Sequence, residues 1–174
     1  MCRVENTAQS KPVLIVTCRG SSTSPCEHEV GNVLFIKDPC VKVKETPFTG
    51  VLIVYSNLDV NTAYRAVAFR EYGFVESIVP IHCSTRLPLD RSSLEECLRR
   101  VTNVTTPVKV KVKSRGVRGI SSSVYKLVID VLKSLGVRVE SNSSSCLFIE
   151  IISEVVYIGV GACKPVFKAS IMNS

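Results

Sequence analysis

Tryptophan is absent from these 174 residues, histidine occurs twice, and aromatic residues make up only 6%. A protein that reads single strands by base stacking needs aromatic platforms, so that class is disfavoured. Long hydrophobic runs are missing as well. The best candidate, Leu147 to Val160, falls short of the roughly 18–20 residues of a membrane span and is broken by Glu150 and Glu154. The segment from Met1 to Lys11 is polar and lacks the apolar stretch of a secretory signal. The expectation is therefore a soluble, cytoplasmic protein with no membrane partner, in which the sequons Asn103–Thr105 and Asn142–Ser144 go unused.

The familiar signatures of catalysis are also lacking. There is no GxxxxGK[ST] loop, no strand running into GxGxxG and no GxSxG elbow. His82 and Cys83 are neighbours on a predicted strand, so their side chains point to opposite faces and cannot pair as base and nucleophile. His28 sits among acids at a short helix. The expectation is no cofactor, no metal and a chain that is not an enzyme. The eight cysteines are scattered, with no CxxC, and only Cys26 with His28 approaches zinc-ligand spacing. Buried free thiols are the expected state, although chains from hyperthermophiles also carry disulfides.

Charge is what the sequence has in excess. Twenty-two bases against fifteen acids give +7. Residues 1–84 hold eight of each, while residues 85–174 hold fourteen bases and seven acids, which is the whole excess. From Glu96 to Asp130 no acid intervenes, yet eight bases do. A one-signed surface of this kind faces a polyanion or simply keeps the chain soluble.

Pattern divides the chain into an α+β pair of modules. Pro12–Cys18, Val41–Glu45, Val51–Ser56 and Phe74–His82 read as strands. A helix opened by Pro25, with Glu27 and Glu29 in its first turn, and a helix capped by Asp59 lie between them. The second helix carries Phe69 toward a core and stops near Gly73. The order is β-α-β-β-α-β, the ferredoxin-like pattern. After a junction near residues 83–89, Ser92 and Glu95 form a capping box for a further helix. Val108–Lys113 alternates strictly, and a helix with Val124, Leu127, Val128 and Val131 follows, ended by Gly136. Val137–Glu140, Cys146–Ile152 and Val155–Val160 read as strands. The expected domains are 12–84 and 85–164.

Lys109, Lys111 and Lys113 share one face of the alternating strand, about 6.6–7 Å apart, near the phosphate spacing of a nucleic-acid backbone. Arg115 and Arg118 follow in a turn whose glycines, Gly116 and Gly119, permit close backbone approach. Ser121, Ser122 and Ser123 then open a helix, whose free N–H groups favour anions. These are the candidate phosphate contacts, with Lys126, Lys164 and Arg86 as further ones. As surface residues, Arg115 and Arg118 should each cost about 0.5 kcal/mol on replacement by alanine. Lysines on an edge strand also prevent edge-to-edge pairing, and serines also cap helices.

The stretches VKVKVKSRGVRGISSSVYKLVIDVLKSLGVRV and CLFIEIISEVVYIGV resemble the THUMP domain of tRNA-modifying proteins. Upstream, VLIVTCRG, GVLIVYSNLD and VESIVPI resemble the ferredoxin-like domain that precedes it. The resemblance covers roughly residues 12–164. It implies an N-terminal ferredoxin-like domain followed by a THUMP α/β domain, and binding of tRNA around the acceptor stem and 3′ end. In that family a separate domain does the chemistry. No methyltransferase, thiouridine-synthase or pseudouridine-synthase domain is visible in this sequence. The resemblance thus implies an adaptor presenting tRNA to a separate modifying enzyme such as a cytidine acetyltransferase. The alternative reading is a small enzyme, or enzyme subunit, that binds an acidic metabolite at the same anion site.

Overall fold

The structure, a computed structural model, describes residues 2, 10–20 and 22–169. It is α+β, as expected. The elements are β1 (Lys11–Cys18), α1 (Thr23–Phe35), β2 (Lys42–Glu45), β3 (Val51–Ser56), α2 (Val60–Val67), β4 (Arg70–Tyr72) and β5 (Val75–Pro80), then β6 (Cys83–Arg86), α3 (Arg91–Val101), β7 (Lys109–Arg115), α4 (Ser121–Ser134), β8 (Ser145–Ile152), β9 (Val155–Ala162) and β10 (Val166–Lys168). The chain divides into two compact units. One comprises residues up to Pro80 together with those from Lys164 onward; the other is Ile81–Cys163. No described helix is long and apolar enough to cross a membrane.

In the first unit, an antiparallel sheet has the order β2-β3-β1-β5, which is what a β-α-β-β-α-β chain makes when its hairpin returns beside the first strand. The middle of central β1 is apolar on both faces and buried on both: Val13, Leu14, Ile15 and Val16 are at most 1% exposed. Val30 and Leu34 of α1 and Ala63 and Val67 of α2 pack with Leu14, Val16, Leu52 and Ile78. Asp59 caps α2 by accepting from the Thr62 N–H at 3.0 Å.

Several local expectations give way here. Glu27 and Glu29 lie beyond the first turn of α1. The Glu29 carboxylate instead accepts from the N–H groups of Gly73, Phe74 and Val75 at 2.8–3.2 Å, tying α1 to the start of β5. Helix α2 ends at Val67, and Phe69 adopts a positive φ of 61°, is 59% exposed, and lies with its ring centre 6.5 Å from that of Phe167. The residues before Gly73 form β4, which pairs in parallel with β10. The strand read over Phe74–His82 is β5, Val75–Pro80, whereas the junction read near residues 83–89 contains β6, which pairs with β9.

The second unit has a sheet of order β6-β9-β8-β7, in which only the β7–β8 pair is parallel. Leu94 and Leu98 of α3 and Val124, Val128, Val131 and Leu132 of α4 pack with Leu147, Ile149 and Ile151 of β8. The cap of α3 is Asp90, accepting from the Ser93 N–H at 3.0 Å, not the Ser92–Glu95 box. An aspartate two residues earlier places its carboxylate where the first free N–H groups converge. Val137–Glu140 makes one isolated bridge, Val108 to Val139, instead of a strand.

The eight cysteines are not free thiols. They pair as Cys2–Cys40, Cys18–Cys26, Cys83–Cys97 and Cys146–Cys163, with Cα separations of 5.0–6.2 Å. Each bridge lies within one unit. Thiol titration of denatured, unreduced protein should therefore find no free thiol. Replacing Cys146 and Cys163 together by serine should lower stability by roughly 3 kcal/mol, read from urea unfolding.

Asp38 supplies a second test. Its buried carboxylate accepts from the Ser56 hydroxyl at 2.6 Å and the N–H groups of Cys40 and Asn57 at 2.9 and 3.0 Å. Burial alone would raise its pKa, but these three donors outweigh burial and hold it below the ordinary value of 3.8. A depressed carboxyl pKa adds stability above the unfolded pKa that is lost as pH falls through the folded one. Asp38→Asn should therefore be less stable than the wild type at pH 7 by about 2 kcal/mol, and the difference should narrow below about pH 4 in acid titration of unfolding.

Candidate nucleic-acid interface

Strand β7 is an edge strand, and its alternation decides which side chains can reach a ligand. Val108 is buried, and Val110 and Val112 pack against the α3–α4 side of the sheet. The lysines therefore take the opposite face, with Lys111 and Lys113 exposed and Lys109 half-buried. Register places Lys109, Lys111 and Lys113 beside Cys146, Phe148 and Glu150 of β8. The Lys111 ammonium lies 6.0 Å from the centre of the Phe148 ring, at the outer limit of a cation–π contact.

Arg115 departs from its expected role. Its Nη1 donates to Oε2 of Glu150 at 2.7 Å, and the two side chains are only 12% and 11% exposed. Burial pushes the Glu150 carboxyl above its ordinary range, against the opposing charges of Arg115 and Lys113. Arg118 is exposed, and no described residue forms an ion pair with it. The intervening turn is closed by the Ser114 hydroxyl donating to the Val117 carbonyl at 2.8 Å. Gly116 and Gly119 have φ of 87° and 72°. A Cβ on Gly119 would meet nothing within 4 Å, so backbone conformation, not crowding, calls for glycine there.

The serines do not cap α4. Its N-cap is Ile120, with no side-chain acceptor, and the Ser123 hydroxyl donates back to the Ile120 carbonyl at 2.9 Å. Ser121, Ser122 and Ser123 are exposed in a first turn whose N–H groups lack a side-chain cap. Lys126 is exposed one turn further along α4. Arg86 is exposed, 4.0 Å from an equally exposed Glu154. Lys164 is exposed and belongs to the first unit.

Beside the α4 start lies an open cleft of about 620 Å³, lined by Leu87 and Leu89, by Val117 and Ile120, by Ser123 and Leu127, and by Glu154. Apolar side chains and a carboxylate are the opposite of what an acidic metabolite needs, so the alternative reading gains nothing from it. His82 is no base on call: its Nδ1 accepts from the Val160 N–H at 3.1 Å, and burial lowers its pKa. Among the described residues, no cluster of three His, Cys, Asp or Glu could hold a metal.

No family model and no curated protein matches the sequence. Solved structures do share its fold. PH1313 from Pyrococcus horikoshii superimposes with a TM-score of 0.61 at 17% identity, over 94% of this chain and 58% of its own. TrmN from Thermus thermophilus gives 0.59 at 13% identity, over 85% and 45%. A predicted N6-adenine-specific DNA methylase from Listeria monocytogenes gives 0.51 at 15% identity, over 86% and 40%. This chain thus spans about half the length of the proteins it resembles. The last of them is named as an enzyme, and its fold is shared over most of this chain. That finding overturns the expectation that the chain is not an enzyme, which rested on missing motifs and on no catalytic domain being visible in the sequence.

The buried pair changes what substitution does. Arg115→Ala strands the Glu150 carboxylate and should cost about 3–5 kcal/mol, whereas Arg118→Ala should stay within about 0.5 kcal/mol. Urea unfolding of the two variants checks the contrast.

Proposed function

We propose that this chain binds RNA through the lysine face of β7 and the turn into α4, and that it holds the RNA for a modifying catalytic centre. The observation that carries this reading is the juxtaposition itself. Three lysines are aligned on an edge strand that runs into the free Arg118 and then into a helix start without a side-chain cap. Lysine point charges at strand spacing match a phosphate backbone, and uncapped N–H groups add an anion-binding end. The THUMP resemblance supports tRNA, gripped at its acceptor stem and 3′ end, as the RNA. It also supports a tRNA-modifying enzyme, such as a cytidine acetyltransferase, as the owner of the catalytic centre. Adenine methylation is the chemistry for which the Listeria neighbour is named.

Four bases are available once Arg115 is set aside: Lys109, Lys111, Lys113 and Arg118. Each neutralised phosphate contributes about −0.7 to −0.9 to the slope of log K against log salt, so folded tRNA should show a slope of about −2.8 to −3.6. Lys109→Ala/Lys111→Ala/Lys113→Ala should weaken binding and make the slope shallower by about 2 to 3. Lys42→Ala/Lys44→Ala in the first unit, where ten bases face eight acids, should change the slope by less than about 1. Binding isotherms at several salt concentrations decide it: equal slopes for the wild type and the β7 variant would remove the RNA reading.

A further inference from the structure

Glu150 is a singular residue. Strand β8 reads Ser-Cys-Leu-Phe-Ile-Glu-Ile-Ile, and Glu150 is its only charged member, buried at 8% exposure in a strand flanked by β7 and β9. Register sets it beside Lys113 on one side and Tyr157 on the other. It therefore shares a face with the lysines, and its carboxylate accepts from Arg115 at 2.7 Å.

A buried pair of this kind is a poor device for stability, since apolar side chains of similar volume do as well or better. Nor does a polyanion site gain from a carboxylate. What the arrangement does accomplish is electrostatic. It cancels Arg115 and opposes Lys113 at the end of the row of bases along β7.

We propose that Glu150 is a counter-charge built into the lysine face, which withholds Arg115 from the bound polyanion and so sets how tightly the face holds RNA. The proposal rests on the RNA reading above. It assigns Glu150 a tuning role, acting through Arg115 without touching the ligand. An RNA that must be handed on after modification needs a grip that lets go, and one cancelled charge in five loosens it.

Glu150→Gln tests this with little change of shape, because the amide oxygen can still accept from Arg115 while the negative charge is gone. The expected result is tRNA binding tighter by about 3- to 10-fold near 0.1 M salt and a slope steeper by about 0.7 to 0.9, one added phosphate contact. Arg115→Met/Glu150→Leu removes both charges together. It should keep the wild-type slope and an affinity within about 2-fold, because the pair offers no net charge to the RNA. Unchanged affinity and slope in Glu150→Gln would overturn the proposal, as would a double variant that loses a phosphate contact. If Glu150→Gln fails to fold, the double variant carries the test alone. The triple lysine variant separates the two levels. Were it to bind as the wild type does, the RNA reading would fall and the proposal with it. Were it to lose binding while Glu150→Gln stays unchanged, only the proposal would fall.

Discussion

The parallel pairing of β7 with β8 fixes the candidate interface, because the side-chain period of a strand is two and a slip by one residue would exchange the faces. Val108, Val110 and Val112 are drawn inward by the core that α3 and α4 share with β8, and this alone turns Lys109, Lys111 and Lys113 the other way. The lysines are thus positioned by apolar burial on the far side of the sheet. Their own contacts contribute little, apart from the loose approach of Lys111 to Phe148. The same register brings Glu150 level with Lys113 and within reach of Arg115. One packing constraint therefore sets both the attractive charges and the charge that opposes them.

The elements that the sequence makes legible are those whose determinants are local. β1, β3 and β8 are rich in buried apolar residues over most of their length, and the Asp59 cap lies next to the helix it starts. The elements that escape have partners far away in sequence. β4 and β10 are three-residue strands that exist only because they pair across almost a hundred residues. β6 falls in what reads as a junction, and it is a strand because it pairs with β9, about seventy residues downstream. The bond from the Phe69 N–H to the Pro165 carbonyl at 2.6 Å, with Phe167 packed on its ring, belongs to the same return of the chain.

The candidate site shows the same division. Alternation of valine and lysine is a two-residue signal, and it correctly separates the inner face of β7 from the outer. Arg115 stands one step further on in that alternation, and nothing within the strand distinguishes it from the lysines. Its partner lies thirty-five residues downstream. A lone acid in an apolar strand, opposite a basic one, was the only available hint. The disulfides were illegible for a similar reason: eight scattered cysteines can pair in many ways, and spacing selects none of them.

The two units also use charge differently, and the difference bears on what the interface can recognise. In the first unit the acids work on the backbone: Glu29 holds three N–H groups at the start of β5, and Asp38 holds two together with the Ser56 hydroxyl. With ten bases against eight acids, that unit carries only a weak net charge. In the second unit the bases are displayed along a strand, while Glu150 is spent inside. A row of ammonium groups attracts and positions a phosphate backbone but carries no sequence information, since base identity is read by contacts to base edges. On the proposed reading, selectivity for one RNA over another must therefore come from the shape of the RNA, or from groups outside β7. The largely apolar cleft beside the start of α4 is a surface on this unit whose chemistry differs from that of the strand.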